Sequence, residues 1–368
     1  MEYKNIKETL GKYIQEMKTH EEKYMGFPNN MNYDYEAVAE SAHVYINNAG
    51  DPFSTLSWKK HSKHFEQDVV NFFLDLYKLP RHLGWGYVTS GGTEGNMEGM
   101  LLARETYPNA MLYYSADTHY SIGKIANILR MKTKVVHSQE NGELDYVDLD
   151  KQLSKNKKKE AIILVNCGTT VKGAFDNLEK VKMILMKHKI KKKYIHVDGA
   201  LSGMITPFIS SAPRYSFDKG VDSVAISMHK FFGVPLISGV IFTKKKYVNK
   251  VKSKVEYINS HDTTISGSRN GHTSLYTWYI IKKHGLNKFK ADARTCLDNA
   301  RYLHERLKAS GVYAHRNDYS NTVYFKKPHE NIVDKWQLSC SGNIAHVVVM
   351  QHVNKEKIDH IVSDISMN

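Results

Sequence analysis

Between about residues 64 and 244, short apolar runs alternate with longer stretches of helical periodicity, and this alternation leaves few folds open to the chain. Phe65, Val69, Val70, Phe73, Leu74 and Tyr77 recur at helical spacing. The runs 111–114, 162–165, 194–197, 223–226 and 239–242 have the length of strands, and helical stretches such as 96–104, 121–130 and 178–187 lie between them. Strands separated by helical crossovers pair in parallel, so the pattern predicts an α/β fold with helices on both faces of a mainly parallel sheet. After about residue 286 the pattern changes. A long helix (286–310), strands at 321–325 and 345–350 and a last helix (355–365) predict a smaller α+β C-terminal domain. At the other end, Ile6, Leu10, Tyr13, Ile14 and Met17 predict a helix, and INNAGDPF (46–53) reads as a loop because Asn, Gly and Pro punctuate it.

The 368 residues suffice for a large core without disulfides or structural metal, and 41% hydrophobic against 24% charged residues excludes a disordered or fibrous chain. Lys and Arg exceed Asp and Glu by 52 − 38, giving +14. The surplus gathers in lysine clusters at 155–159, 189–193 and 244–246, with no helix-turn-helix or zinc-finger spacing beside them. They read as solvated surface, and nucleic acid is not an expected partner. Cys167, Cys296 and Cys340 are too few and too scattered for a disulfide framework or zinc site, which suits a reducing compartment. The N-terminus is charged throughout, unlike a signal peptide, and no apolar run reaches the ~20 residues of a membrane span. The expectation is a soluble, cytoplasmic protein.

In open α/β sheets ligands bind beyond the carboxyl ends of the strands. Those ends carry Ser90-Gly91-Gly92-Thr93, 115–119, 166–170, Asp198-Gly199-Ala200 and 227–230. SGGTEG opening a helix can offer backbone N–H groups to a phosphate, although a glycine turn into a helix is also a common structural device. Asp198, ending YIHVD, can cap a helix or hold a ring nitrogen protonated. Lys230, after SVAISMH, can be a solvated lysine or, with its pKa lowered in a cleft, a Schiff-base nucleophile. Together the three meet the needs of pyridoxal 5'-phosphate, whose aldehyde takes a lysine, whose pyridinium takes a carboxylate and whose phosphate takes a nest of donors.

The segments IHVDGALSGMITPF and ISMHKFFGVPLISGV, with VTSGGTEGNMEG, DTHYSIGKIA and GTTVKGAFDNL, resemble the cofactor core of group II pyridoxal-phosphate-dependent amino-acid decarboxylases. The likeness runs from about Gly26 to the last helix and is strongest to plant serine decarboxylases and bacterial histidine decarboxylases. It implies a fold-type I enzyme: a seven-stranded, mainly parallel sheet between helices, with an N-terminal arm and helix (1–55), a large cofactor-binding domain (56–285) and a small α+β domain (286–368). It also implies a homodimer with active sites at the interface. Carried over by position, Lys230 would bond the cofactor and Asp198 would pair with its ring nitrogen. His119 would stack on one ring face and Ala200 on the other. Gly92, Thr93, Ser227 and His229 would surround the phosphate, Asn166 and Thr169 would contact ring or phosphate, and Ser268 would reach a phosphate across the dimer. The family usually has glycine where this chain has Met228.

The resemblance implies decarboxylation of a small L-amino acid. Tyr257, His261 and His119 are the candidates to protonate Cα, with Tyr257 equally readable as a structural aromatic. INNAGDPF and WQLSCSGNIAHVVVM look more like the serine enzymes, and YINSHDTTISGSRNGHT more like the histidine enzymes. Two segments against one favour serine, giving ethanolamine, with histidine to histamine as the alternative. Another lyase of the same cofactor and an inactive basic relative are the remaining readings. Side-chain recognition is expected near Asn47, Asn48, Asp51 and the 319–322 turn.

Overall fold

The structure is a computed structural model and describes residues 3–32, 34–256 and 259–367. Its centre is a sheet of seven strands: β1 (Gly84–Thr89), β2 (Met111–Ser115), β3 (Thr133–Val136), β4 (Glu160–Asn166), β5 (Lys192–Asp198), β6 (Ser223–Ser227) and β7 (Gly239–Lys244). Their spatial order is β1-β7-β6-β5-β4-β2-β3. Pairing is parallel from β6 through β5, β4 and β2 to β3. β7 is antiparallel to both β1 and β6. The strand expected at 239–242 thus departs from the parallel pattern. No helix lies in 228–238, and without a crossover the chain can return only in the opposite direction.

Alternation along β4 divides the interior. Ile163 and Val165 enter the core under the helices Lys63–Leu76 and Leu178–Lys187, whereas Ile162 and Leu164 enter the core under Gly92–Thr106 and Ser121–Ile128. Residues two apart on a strand share a face, so one apolar run feeds both layers. The sequence gives little sign of β3, a short edge strand whose residues are half exposed.

The C-terminal domain has four antiparallel strands in the order Ala314–His315, Thr322–Lys326, Ile344–Val348 and Ser339–Ser341. Its core joins Val323, Phe325, Ala345 and Val347 to Ile358, Ile361 and Val362 of the helix Lys355–Ser366. The long helix Gly271–Ala309 is interrupted at Gly285 (φ 66°, ψ 175°). Beyond that break, Phe289, Ala293, Cys296 and Leu297 pack in the large core, and Ala300, Leu303 and Leu307 in the small one.

INNAGDPF is not a loop throughout. Asn47–Ala49 forms a short strand antiparallel to Ser268–Asn270. Its partner is too distant in sequence for local turn signals to reveal the pairing. Among the described residues, no helix is long and apolar enough to cross a membrane.

Candidate active site

A cavity of about 620 Å³ opens at the carboxyl ends of the sheet strands, beneath the N-terminal arm and the small domain. Register explains why its polar groups meet. Asn166 and Asp198 end β4 and β5 directly opposite each other, and Ser227 ends β6 next to the Lys230 turn. Lys230, Asp198, His119, Ala200, Gly92, Thr93, Asn166, Ser227 and His229 all line this one space.

Lys230 is largely buried, and burial holds its amine below the ordinary lysine pKa, with the Asp198 carboxylate opposing the shift. Its backbone is fixed from afar. The Asn30 N–H donates to the Lys230 carbonyl (3.0 Å), Asn29 Nδ2 to the His229 carbonyl (3.3 Å) and Asn30 Nδ2 to the Phe231 carbonyl (3.1 Å). Asp198 accepts from Asn96 Nδ2 at Oδ2 (2.9 Å) and from the Ala200 N–H at Oδ1 (3.0 Å). These two donors fix the plane of the carboxylate.

His119 Nδ1 lies 2.7 Å from Ser121 Oγ, and the Ser121 N–H also points at it (3.3 Å). An N–H donor on that side makes Nδ1 the acceptor and leaves the ring proton on Nε2. Burial, then the Lys230 charge, lowers the His119 pKa, and Asp198 works against both. His229 Nδ1 contacts the Ser238 carbonyl (2.9 Å), and burial lowers its pKa too. Asn166 Nδ2 donates to Thr118 Oγ1 (3.0 Å) and to Asp176 Oδ2 (2.9 Å).

The helix Gly92–Thr106 points its N-terminus into the cavity. Its entry turn is tied by Glu94 Oε2, which accepts from the Ser90 N–H (2.7 Å) and Ser90 Oγ (2.5 Å). A Cβ on Gly92 would come within 2.7 Å of Ser227 Oγ, so glycine keeps open the space between the helix end and that hydroxyl.

Two expected site residues are not gathered here. Thr169 is buried beside the cavity, and its Oγ1 accepts from the Ala174 N–H (2.9 Å) in the turn after β4, while Gly168 and Thr170 form the wall. Ser268 is held in the short strand facing Ala49, its Oγ 3.2 Å from Asn47 Nδ2, and does not reach the cavity of its own chain. Tyr257 lies outside the described residues. His261, the other loop candidate, sits in Ser260–Asp262, where its carbonyl accepts from the Asp51 N–H (2.8 Å).

The expected recognition residues lie elsewhere as well. Asn48 is buried against Glu66, Ser62 and Ser274, and Asp51 holds the Trp85 indole (3.1 Å) and Thr263 (3.0 Å). Asn47 contacts Tyr45 and Ser268, and Tyr319 lines other clefts between the domains. Met228 packs in the large core, clear of the cavity.

Thr118 lies in the strand-end group 115–119, but sequence reading gave no role to Asn96 and Tyr120, the arm residues 26–29, or Ser339, Ser341 and His346 of the small domain, all of which line the cavity. Asn96 lies within the segment VTSGGTEGNMEG, which was read for its glycine turn. The arm and small-domain residues arrive through long-range folding alone. His346 is 3% exposed, its Nδ1 has no hydrogen-bond partner, and burial pushes its pKa down to about 4.

The donor set fits pyridoxal phosphate. Lys230 offers a primary amine of lowered basicity, and Asp198 a pre-oriented carboxylate. The open cradle at Gly92 and Ser227, at a helix N-terminus, suits a phosphate. His119 and Ala200 line the same cavity, where they would take the faces of a flat ring.

Comparison with known proteins agrees with this fit. The pyridoxal-dependent decarboxylase conserved domain matches residues 39–319. Serine decarboxylase 1 of Oryza sativa subsp. japonica is 44% identical over 345 residues, 93% of this chain and 72% of that one. Histidine decarboxylase of Morganella morganii is 41% identical over 344 residues, 93% of this chain and 91% of that one. The crystal structure of L-methionine decarboxylase from Streptomyces sp.590 has the same fold, with a TM-score of 0.90 over 100% of this chain and 95% of that one at 24% identity.

Proposed function

The chain belongs to the pyridoxal-dependent decarboxylase family and is a pyridoxal-phosphate-dependent amino-acid decarboxylase, and from that premise we propose that it converts L-serine to ethanolamine and carbon dioxide. The observation that carries the reading of the site is the meeting of Lys230, Asp198 and His119 around one cavity. When bound there, pyridoxal phosphate supplies a protonated heteroaromatic ring that takes up the electron pair left at Cα as carbon dioxide departs.

The chain's own residues bind and orient. Lys230 presents an amine that burial keeps readily deprotonated. Asp198 holds a proton on the ring nitrogen facing it. His119 and Ala200 would take the two faces of the ring, Gly92, Thr93, Ser227 and His229 would hold the phosphate, and the buried Asn166 would contact ring or phosphate. Among the described residues, His119 is best placed to return a proton to Cα, because its bonds to Ser121 leave the proton on Nε2. Ser339, Ser341 and His346, with Phe27 of the arm, form the wall that selects the side chain. Small hydroxyl-bearing residues on that wall suit a hydroxymethyl group.

Serine is supported by the 44% identity to a serine decarboxylase. Histidine to histamine is the second reading, supported by the 41% identity to a histidine decarboxylase. We place the active form as a cytoplasmic homodimer. Three free cysteines suit a reducing compartment. Ile6, Leu10, Tyr13 and Ile14 leave an apolar stripe of the N-terminal helix uncovered, and Tyr120, at the cavity rim, is 76% exposed. A second copy would cover such surface.

The test is amine release from each of the common L-amino acids by purified, cofactor-loaded protein. Ethanolamine with stoichiometric carbon dioxide from serine is expected. Equal or faster turnover of histidine overturns the serine choice, and turnover that survives Lys230→Ala overturns the reading of the site.

A further inference from the structure

His196 and Asp198 are two apart on β5 and share a face of the strand. Asn96 and Gly99 stand one turn apart on Gly92–Thr106 and share the helix face that packs on that strand. A Cβ on Gly99 would come within 2.4 Å of the His196 ring, so the glycine is what lets the imidazole lie against the helix. The outcome is a buried chain of hydrogen bonds. Ser223 Oγ is 2.7 Å from His196 Nδ1, His196 Nε2 is 2.9 Å from Asn96 Oδ1, and Asn96 Nδ2 is 2.9 Å from Asp198 Oδ2. His196 and Ser223 are wholly buried, and Asn96 is 2% exposed.

The direction of every bond follows from its last member. A carboxylate only accepts, so Asn96 turns its NH2 to Asp198 and its carbonyl to His196. That carbonyl needs a proton on His196 Nε2, which leaves Nδ1 as a lone pair accepting from the Ser223 hydroxyl. Burial pushes the His196 pKa down to about 4, which keeps the ring in this neutral form at ordinary pH. All the donors therefore point toward Asp198, and the Ala200 N–H adds one more at the other oxygen (3.0 Å).

We infer that Asn96 and His196 are positioning residues that hold the Asp198 carboxylate fixed in plane toward the ring nitrogen of the cofactor, so that a proton is kept on that nitrogen. Without the Asn96 donor the carboxylate would be free to turn away from the ring nitrogen, the hydrogen bond that keeps a proton there would be lost, and the ring would be a poorer acceptor of electrons. The inference rests on pyridoxal phosphate occupying this cavity.

The test uses protein loaded with cofactor labelled with nitrogen-15 in the ring. Asn96→Leu, close in volume and without donor or acceptor, should move the ring-nitrogen resonance toward the unprotonated position. It should lower kcat about 10- to 100-fold, the worth of one hydrogen bond to a charged group, with KM changed much less. Asn96→Ser, a milder change, should shift the resonance part of the way and serves if the leucine variant does not fold. An unchanged resonance in either folded, loaded variant overturns the inference alone. Wild-type protein that binds no pyridoxal phosphate overturns the reading of the site, and the inference with it.

Discussion

Asn30 and Lys230 are joined through their backbones, the N–H of the first reaching the carbonyl of the second at 3.0 Å. The N-terminal arm is thereby part of the site. It clamps the turn that carries the lysine and, through residues 26–29, closes one side of the cavity. Asn30→Ala removes the side-chain bond to the Phe231 carbonyl, which keeps Gln351 Nε2 as a partner at 2.9 Å. The expected loss is about 1–2 kcal/mol in urea unfolding, with weaker retention of the cofactor on dialysis. Wild-type stability and retention together would show that the arm only covers the site.

Gly92→Ala should separate cofactor binding from folding. Alanine is favoured within a helix, but its Cβ would enter the space beside Ser227 Oγ. The affinity for pyridoxal phosphate, followed by fluorescence quenching of the apoprotein, should fall about 10-fold or more, with the melting temperature little changed. Unaltered affinity would place the phosphate elsewhere.

Glu98 makes stability depend on pH between 4.5 and about 8. It is wholly buried beside Glu94, its Oε1 has no partner, and burial followed by the Glu94 charge raises its pKa from 4.5 to about 8. Between those values the unfolded chain ionises while the folded one keeps the proton, so stability falls as pH rises through the window. Glu98→Gln keeps the shape of the protonated acid. It should match wild type near the acid end and exceed it above pH 8 by on the order of 2–4 kcal/mol in denaturant titrations.

At the acid end the sign reverses. His196 and His346 are buried and His352 is half-buried, and burial lowers each pKa from 6.5 to about 4. The unfolded chain takes up protons in that interval and the folded chain does not, so stability falls as pH drops through it, by at most about 3 kcal/mol per ring. His352 lies off the cavity, bonded to the Tyr24 carbonyl (3.1 Å). His352→Gln should flatten part of the acid loss in thermal melts at successive pH values without altering cofactor uptake.

His346 offers the selecting wall a neutral imidazole whose Nδ1 is unpaired. His346→Phe should lower kcat/KM for the preferred amino acid about 10-fold or more while leaving cofactor affinity intact. A proportional loss for every amino acid tested would make the residue structural.

The sheet was legible where its strands are buried on both sides, because a fully apolar run of five to seven residues needs no context. β4 is of this kind. β3 was hidden because an edge strand need not be apolar, and the reversed β7 because a short connection and a crossover look alike until helices are placed. The site divides in the same way. Lys230, Asp198 and Gly92 follow strands or open a helix within recognisable segments, so local reading reached them. Thr169 was named where its neighbours Gly168 and Thr170 form the wall, since the turn after β4 directs its hydroxyl to the Ala174 N–H. Ser339, Ser341 and His346 come from a domain whose docking no local pattern encodes.

The uninterrupted helix beyond Gly285 anchors Phe289 to Leu297 in one core and Ala300 to Leu307 in the other. The two lobes are therefore skewered on a single rod that runs unbroken from Phe289 to Leu307. Jaw-like gaping of the lobes would have to bend that rod through packed side chains. Opening of the cavity is left instead to small local movements of the arm residues 26–29 that wall it.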